Sequence, residues 1–175
     1  MNVRVSKKTL YSFQRMLEDV ELAFFLKKFG GGLRRMELTL PKAYLVDNGI
    51  FSVSETRYDY GRLLEGAVMQ ELVKNGLEPN KEIFYWRSNM GREVDFVIRE
   101  GGNVRQLIQA TYASGRDEIG KRETDALIQA GEQLGCRNLI YITWDCEDEI
   151  KRNGSIVRCL PLWRWFIDLT YHHSS

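Results

Sequence analysis

One carboxylate inside an apolar run limits what this chain can fold into. Asp95 lies among Val94, Phe96, Val97 and Ile98, residues that otherwise ask for burial. Burying an ionised group costs free energy unless it is paired or ligated. The run Gly91 to Ile98 and a second run, Val104 to Tyr112, flank Arg99-Glu100-Gly101-Gly102-Asn103. Glycines and Asn supply the positive-φ positions of a tight connection, so the two runs predict a β-hairpin with Asp95 on its first strand.

The remaining sequence is that of an ordinary globular domain. Its 175 residues suit one domain, or one domain plus a small appendage. Apolar residues make up 43% and charged residues 28%, so a core forms without disulfides or metal. The net charge of +1 excludes a uniformly basic or acidic protein but not local patches. No run of about 20 apolar residues exists, so no transmembrane helix is expected. Met1-Asn2-Val3-Arg4 leads into a polar segment instead of a signal peptide. Cys136, Cys146 and Cys159 lack metal-ligand spacing and read as free thiols, in keeping with a cytoplasmic setting. His172 and His173 read as a solvated polar tail.

Taken in order, Ser6 caps a helix from Lys7 to Asp19, with Leu10, Phe13 and Leu17 on one face. Leu22 to Leu26 reads as a strand. Gly30-Gly31-Gly32 turns, Arg34 and Arg35 decorate the turn, and Met36 to Leu40 returns. Helix, strand, basic glycine turn and strand suggest the tail of a winged helix, with residues 1–53 as an N-terminal appendage. Pro41 to Ile50 reads as a buried strand closed by Asn48-Gly49, and Ser52 to Tyr60 as a linker. The larger domain then occupies 61–170. Gly61 to Lys74 is a helix with the stripe Leu64, Ala67, Val68 and Leu72, stopped at Asn75-Gly76. Glu65 lies at the edge of that stripe. Glu82 to Arg87 is an aromatic strand, and the hairpin follows it. Arg116 to Leu134 reads as a long helix capped by Gly135, and Leu139 to Thr143 as a buried strand of the parallel type. Asp145 to Lys151 reads as exposed and acidic, Asn153-Gly154 as a turn, Ile156 to Leu160 as a strand, and Leu162 to Leu169 as a helix started by Pro161. The fold class is thus α/β, an α+β mixed sheet flanked by helices.

This order resembles the restriction-endonuclease-like, PD-(D/E)XK nuclease fold. There a helix carries an acid, and a hairpin carries Asp and then acid-x-Lys. The matching positions are Glu65, Asp95 and Gln109-Ala110-Thr111, the last in place of Glu-x-Lys. The chain is also similar to the C-terminal region of archaeal and bacterial AAA-type ATPases, in which an ATPase module and a winged helix precede a nuclease-like domain. The phrases carrying that likeness are Pro41 to Gly49, Gly61 to Glu65, Tyr85-Trp86-Arg87, Glu93 to Ile98, Leu107 to Tyr112, Ile140 to Trp144 and Leu160 to Trp165. No Gly-x-x-x-x-Gly-Lys-Ser/Thr loop is present, so this chain is not expected to hydrolyse ATP by the P-loop route.

The resemblance implies Mg²⁺-dependent phosphodiester hydrolysis, with Glu65 and Asp95 as metal ligands. Gln109 offers an uncharged oxygen, and Thr111 stands where a lysine would place a positive charge beside the reacting phosphate. Arg92, Arg116 and Lys121 are the expected substitutes for that cation. The competing reading is a relic site whose acids are satisfied by hydrogen bonds or an arginine. Glu93 reads as an exposed strand residue, and Arg116 to Asp125 as a solvated face with the pairs Glu118–Arg122 and Lys121–Asp125. Lys7, Lys8, Arg15, Lys27, Lys28, Arg34 and Arg35 are candidate phosphate-backbone contacts, or ordinary surface charge beside a docking face for the upstream ATPase module. Tyr85, Trp86, Trp163, Trp165 and Phe166 read as core. Three functions follow as expectations: a degenerate nuclease-like domain binding DNA or a partner protein, an active Mg²⁺-dependent nuclease, and a pure protein-interaction module.

Overall fold

A computed structural model describes residues 6–30, 39–50 and 59–172. Helix α1 spans Lys7–Asp19, and the Ser6 side chain caps it by accepting the Thr9 N–H. Strands β1 (Ala23–Leu26) and β2 (Lys42–Leu45) form an antiparallel ribbon. The return strand is therefore Lys42–Leu45. Of the expected strand Met36 to Leu40, the first three residues lie outside the described residues, and Thr39 and Leu40 are not in a strand. A 3-10 turn, Asn48–Ile50, follows β2. The larger part comprises α2 (Tyr60–Lys74), β3 (Ile83–Arg87), β4 (Glu93–Glu100), β5 (Asn103–Thr111), α3 (Lys121–Leu134), β6 (Leu139–Thr143), β7 (Asp148–Arg152), β8 (Ser155–Pro161) and α4 (Leu162–His172).

Six strands build one mixed sheet in the order β3-β4-β5-β6-β8-β7. The three strands from β3 to β5 are antiparallel, β5, β6 and β8 are parallel, and β7 closes the far edge antiparallel to β8. The hairpin β4–β5 turns through Gly101-Gly102, with Gly101 at φ 59°. Parallel β5 and β6 need a crossover, and α3 supplies it. One face of the sheet packs Val94, Val97, Leu107 and Tyr141 against Leu127, Ile128 and Ala130 of α3. The other packs Phe96, Ile98, Ile108 and Ile140 against Leu64, Val68 and Leu72 of α2 and Trp165 of α4. No described helix is long and apolar enough to cross a membrane.

Three local expectations change. The segment 145–151 contributes β7, because Asn153 (φ 51°) and Gly154 (φ 75°) make a tight turn that lays Ile150 opposite Val157 and buries it. The helix expected over 116–134 begins at Lys121. Arg116–Glu118 is a separate 3-10 turn, and Gly120 is extended at its junction. On α1, Leu10 and Phe13 stay exposed, because among the described elements the helix packs chiefly against β1.

The ribbon is joined to the larger part at the free edge of β3. Phe29 N–H donates to the Tyr85 carbonyl at 2.6 Å, and Tyr85 N–H to the Lys27 carbonyl at 3.2 Å. Asn80, at φ 66°, bonds the Phe25 carbonyl and the Lys27 N–H through its side chain. Backbone groups that an edge strand would leave open are thereby satisfied, and the ribbon is held over the α2 side of the sheet.

Candidate functional site: a lysine inside a carboxylate centre

The site starts from an irregularity in β4. Phe84 pairs with Val97, but Trp86 pairs with Val94, so β4 holds one more residue than β3 across that interval. Such a bulge breaks strict alternation and re-aims a side chain. Val94 and Val97 both face α3 although three residues apart, and Asp95 leaves the alternating pattern between them. The regular pairing of β4 with β5 stops at Phe96–Ile108. Beyond it, side chains replace the ladder. Asp95 N–H donates to Gln109 Oε1 at 3.3 Å, Gln109 Nε2 donates to Asp95 Oδ2 at 2.6 Å, and Ala110 N–H donates to the same oxygen at 3.0 Å.

The other carboxylate oxygen meets the ribbon. Lys42 Nζ lies 2.8 Å from Asp95 Oδ1, 2.5 Å from Glu65 Oε1 and 3.1 Å from Glu93 Oε1. Tyr44, two residues along β2 and on the same face, donates its hydroxyl to Glu65 Oε1 at 2.6 Å. Helix α2 delivers Glu65 from the edge of its buried face, between Leu64 and Gly66. The Lys42 and Glu65 side chains keep 21% and 20% exposure and Asp95 only 8%, so the centre is wet at its rim and dry at its base. A cleft of about 310 Å³ lined by Lys42, Tyr44, Arg62 and Glu65 opens beside it. A larger cleft, between the end of α3 and the β7–β8 turn, has no grouped acids and is remote from this chemistry.

Three carboxylates surround one ammonium, leaving an excess of negative charge. Burial foremost, then Glu65, pushes the Asp95 carboxyl up to about 7, against the opposing pull of Lys42. Burial works against the Lys42 ammonium, but Asp95, Tyr44 and Glu65 outweigh it and hold the group above the ordinary lysine range. Burial and Glu65 also raise the Tyr44 phenol well above its usual value, so it acts as a donor.

Of the candidates Glu65, Asp95, Gln109 and Thr111, the structure brings Glu65 and Asp95 to Lys42 and Gln109 to Asp95, whereas Thr111 lies apart. It faces α3, its hydroxyl 3.1 Å from Glu123 Oε2. The cation at the centre is none of the three anticipated. Arg92 reaches Gln129, Arg116 pairs with Asp148, and Lys121 begins α3. Sequence reasoning missed Lys42, Tyr44 and Glu93; Glu93 is no free surface residue, since Lys42 and Arg87 both approach it. The available signal was Lys42 and Tyr44 on one face of a strand otherwise read as buried. Asp125 pairs with Arg152, and Glu118 accepts the Ser114 N–H, in place of the expected helical pairs. Of the basic residues, Lys8, Arg15 and Lys27 are exposed and Lys28 is half-buried; Lys7 begins α1, and Arg34 and Arg35 lie outside the described residues.

These residues do not fit a Mg²⁺ ion. Both Asp95 oxygens are committed, Glu65 Oε1 already accepts two donors, Gln109 turns an N–H to Asp95, and an ammonium stands between the acids. Among the described residues no group of three or more His, Cys, Asp or Glu is arranged to hold a metal.

Fold and site together define an α/β domain with a mixed sheet and a lysine-filled carboxylate centre beside one helix. The chain belongs to the family described as Domain of unknown function (DUF4143), which matches residues 60–164. It is similar to a protein of Methanocaldococcus jannaschii named "Uncharacterized protein MJ1544", with 28% identity over 181 aligned residues and 97% of this chain covered. The match spans 38% of that relative's length. Lys42 and Tyr44 lie outside the residues matched to the family, whereas Glu65, Glu93, Asp95 and Gln109 lie within them.

Proposed function

We propose that this chain is a catalytically silent, nuclease-like domain of a longer, ATPase-associated protein, and that it works by docking a partner. The observation that carries the reading is the Lys42 ammonium between Glu65, Glu93 and Asp95. A metal-dependent nuclease needs that position for a divalent ion and its bound water. The succession supports the nuclease-like assignment: an acid on α2, Asp95 on the first strand of a hairpin, Gln109 on the second, a crossover helix, then parallel β6. The ATPase association rests on the sequence resemblance, and the longer relative leaves room for a further module. For docking, the support is the exposed apolar side of α1, formed by Leu10, Phe13, Met16 and Val20.

A second reading, DNA binding, is favoured by exposed Lys8, Arg15 and Lys27 on α1 and the ribbon. One set of assays separates the readings. Incubation with single- and double-stranded DNA in Mg²⁺ or Mn²⁺ is expected to leave the DNA intact. Cleavage that disappears in Asp95→Ala overturns the silent-site reading. Binding to both DNA forms that weakens steeply with salt selects the DNA reading, and its absence leaves partner docking.

A further inference from the structure

We propose that Lys42 is the resident cation of this domain: its ammonium fills a cation position built by Glu65, Glu93 and Asp95, excludes divalent metal from it, and leaves a metal-binding position when removed. The inference rests on the silent-site reading and deepens it, because it names the group that keeps the site silent.

Three oxygens from two elements meet one point. Glu65 comes from α2, Glu93 and Asp95 from β4, and the point they share is Lys42 Nζ, 2.5 to 3.1 Å from each. Two of the three acids have further partners besides Lys42: Gln109 and the Ala110 N–H donate to Asp95 Oδ2 and Tyr44 donates to Glu65 Oε1, while Glu93 is approached by Arg87 at 3.8 Å. Hard divalent cations take such oxygens at about 2.0–2.6 Å, so Glu65 Oε1 already stands near ligand distance, whereas Asp95 Oδ1 and Glu93 Oε1, at 2.8 and 3.1 Å from the shared point, would have to move inward by up to about 1 Å. With the ammonium in place, an incoming cation meets like charge at contact distance and no uncommitted Asp95 oxygen. With the ammonium deleted, three carboxylates that face one point must be neutralised either by a metal or by protons. One divalent ion answers two of these charges at a single point, whereas protons neutralise one carboxylate at a time.

The experiment compares the whole chain with Lys42→Ala, using Mn²⁺ as the probe. Free Mn²⁺ is followed by its EPR signal and Tm by scanning calorimetry, near neutral pH. In wild type, Mn²⁺ is expected to remain free and Tm unchanged. In Lys42→Ala, Mn²⁺ is expected to be taken up to an equimolar amount with a saturable rise in Tm. Adding Asp95→Asn to that variant is expected to abolish both effects. Stoichiometric uptake by the wild type overturns the proposal. So does a folded Lys42→Ala whose Tm ignores Mn²⁺ but rises on acidification, since protons then do the neutralising. If Lys42→Ala unfolds without metal, Mn²⁺-dependent recovery of the fold supports the proposal and lack of recovery overturns it. These outcomes are independent of the DNA assay: intact DNA with a metal-indifferent Lys42→Ala sinks this inference alone, while cleavage by the wild type sinks the silent-site reading.

Discussion

Asp95, Lys42 and Tyr44 show how one residue's cost is offset by others. A buried carboxylate is unfavourable alone, and here its two oxygens receive an ammonium, a side-chain amide and a backbone N–H. Removing one member of a partly buried charge cluster leaves the others uncompensated, which costs more than the cluster contributes relative to an apolar replacement. Lys42→Met is therefore expected to lower unfolding stability by about 3 kcal/mol, read from urea denaturation. Tyr44→Phe, which removes a donor from charged Glu65, is expected to cost roughly 2 kcal/mol in the same measurement. The pH dependence has an unusual sign. The Asp95 carboxyl titrates near 7 when folded against an ordinary 3.8, so the native state binds more protons between those values. Its contribution is present at acid pH and is lost as pH rises through about 7. Urea midpoints measured from pH 4.5 to 8 are expected to fall more steeply in wild type than in Asp95→Asn; parallel curves would refute this assignment.

At the scale of elements, the centre depends on how closely the segment after β2 approaches α2. A Cβ added to Gly66 would stand 2.4 Å from Asn48 Oδ1, and Asn48 Nδ2 donates to the Leu63 carbonyl. The glycine beside Glu65 thus lets the 3-10 turn lie against the helix. The atoms that the new methyl would meet all belong to the Asn48 side chain, so Gly66→Ala is expected to swing that amide aside and to cost about 1 kcal/mol, the worth of its bond to the Leu63 carbonyl. Gly102→Ala, at a hairpin position with nothing within 4 Å, is the matched control and is expected to be near neutral in thermal melts. Much at this scale was legible beforehand. Ser6 caps α1 with its side chain, Asn75 ends α2, and Gly135, which has no Cβ to strain at φ 66°, ends α3. The failures came where pairing overrode local character. Segment 145–151 looks solvated by composition yet becomes a strand because β8 lies alongside it.

Across the whole molecule, the sheet with α2 and α4 on one face and α3 on the other leaves its three thiols inside. Cys136, Cys146 and Cys159 are buried and unpaired, and burial pushes all three up, Cys159 to about 12. A disulfide-exchange reagent near pH 8 is expected to leave all three unmodified in the native protein and to label them together on unfolding. Rapid labelling of any thiol under native conditions would mean that its strand opens locally. The aromatic residues divide differently from expectation. Tyr85, Trp86 and Trp165 are core, but Trp163 is exposed, and a separate surface row runs Tyr60–Tyr112–Trp144, with Tyr60 stacked on Tyr112 at 5.1 Å and Tyr112 tilted against Trp144 at 5.5 Å between centroids.

Local chemistry in the chain was enough to establish the hairpin, the helix caps, the mixed sheet and the need for Asp95 to have a partner. Those follow from side-chain period, turn residues and the cost of burying charge, all readable over a few neighbouring positions. Which partner Asp95 takes was decided only by the tertiary structure. Lys42 is 53 residues away, on a ribbon whose position depends on its docking to β3 and on the 3-10 turn lying against α2. Arg92, three residues from Asp95, was nearer in the chain, but it reaches Gln129 on α3. Sequence proximity cannot predict such a pairing, because the geometry of an ion pair is set by elements packed across the fold.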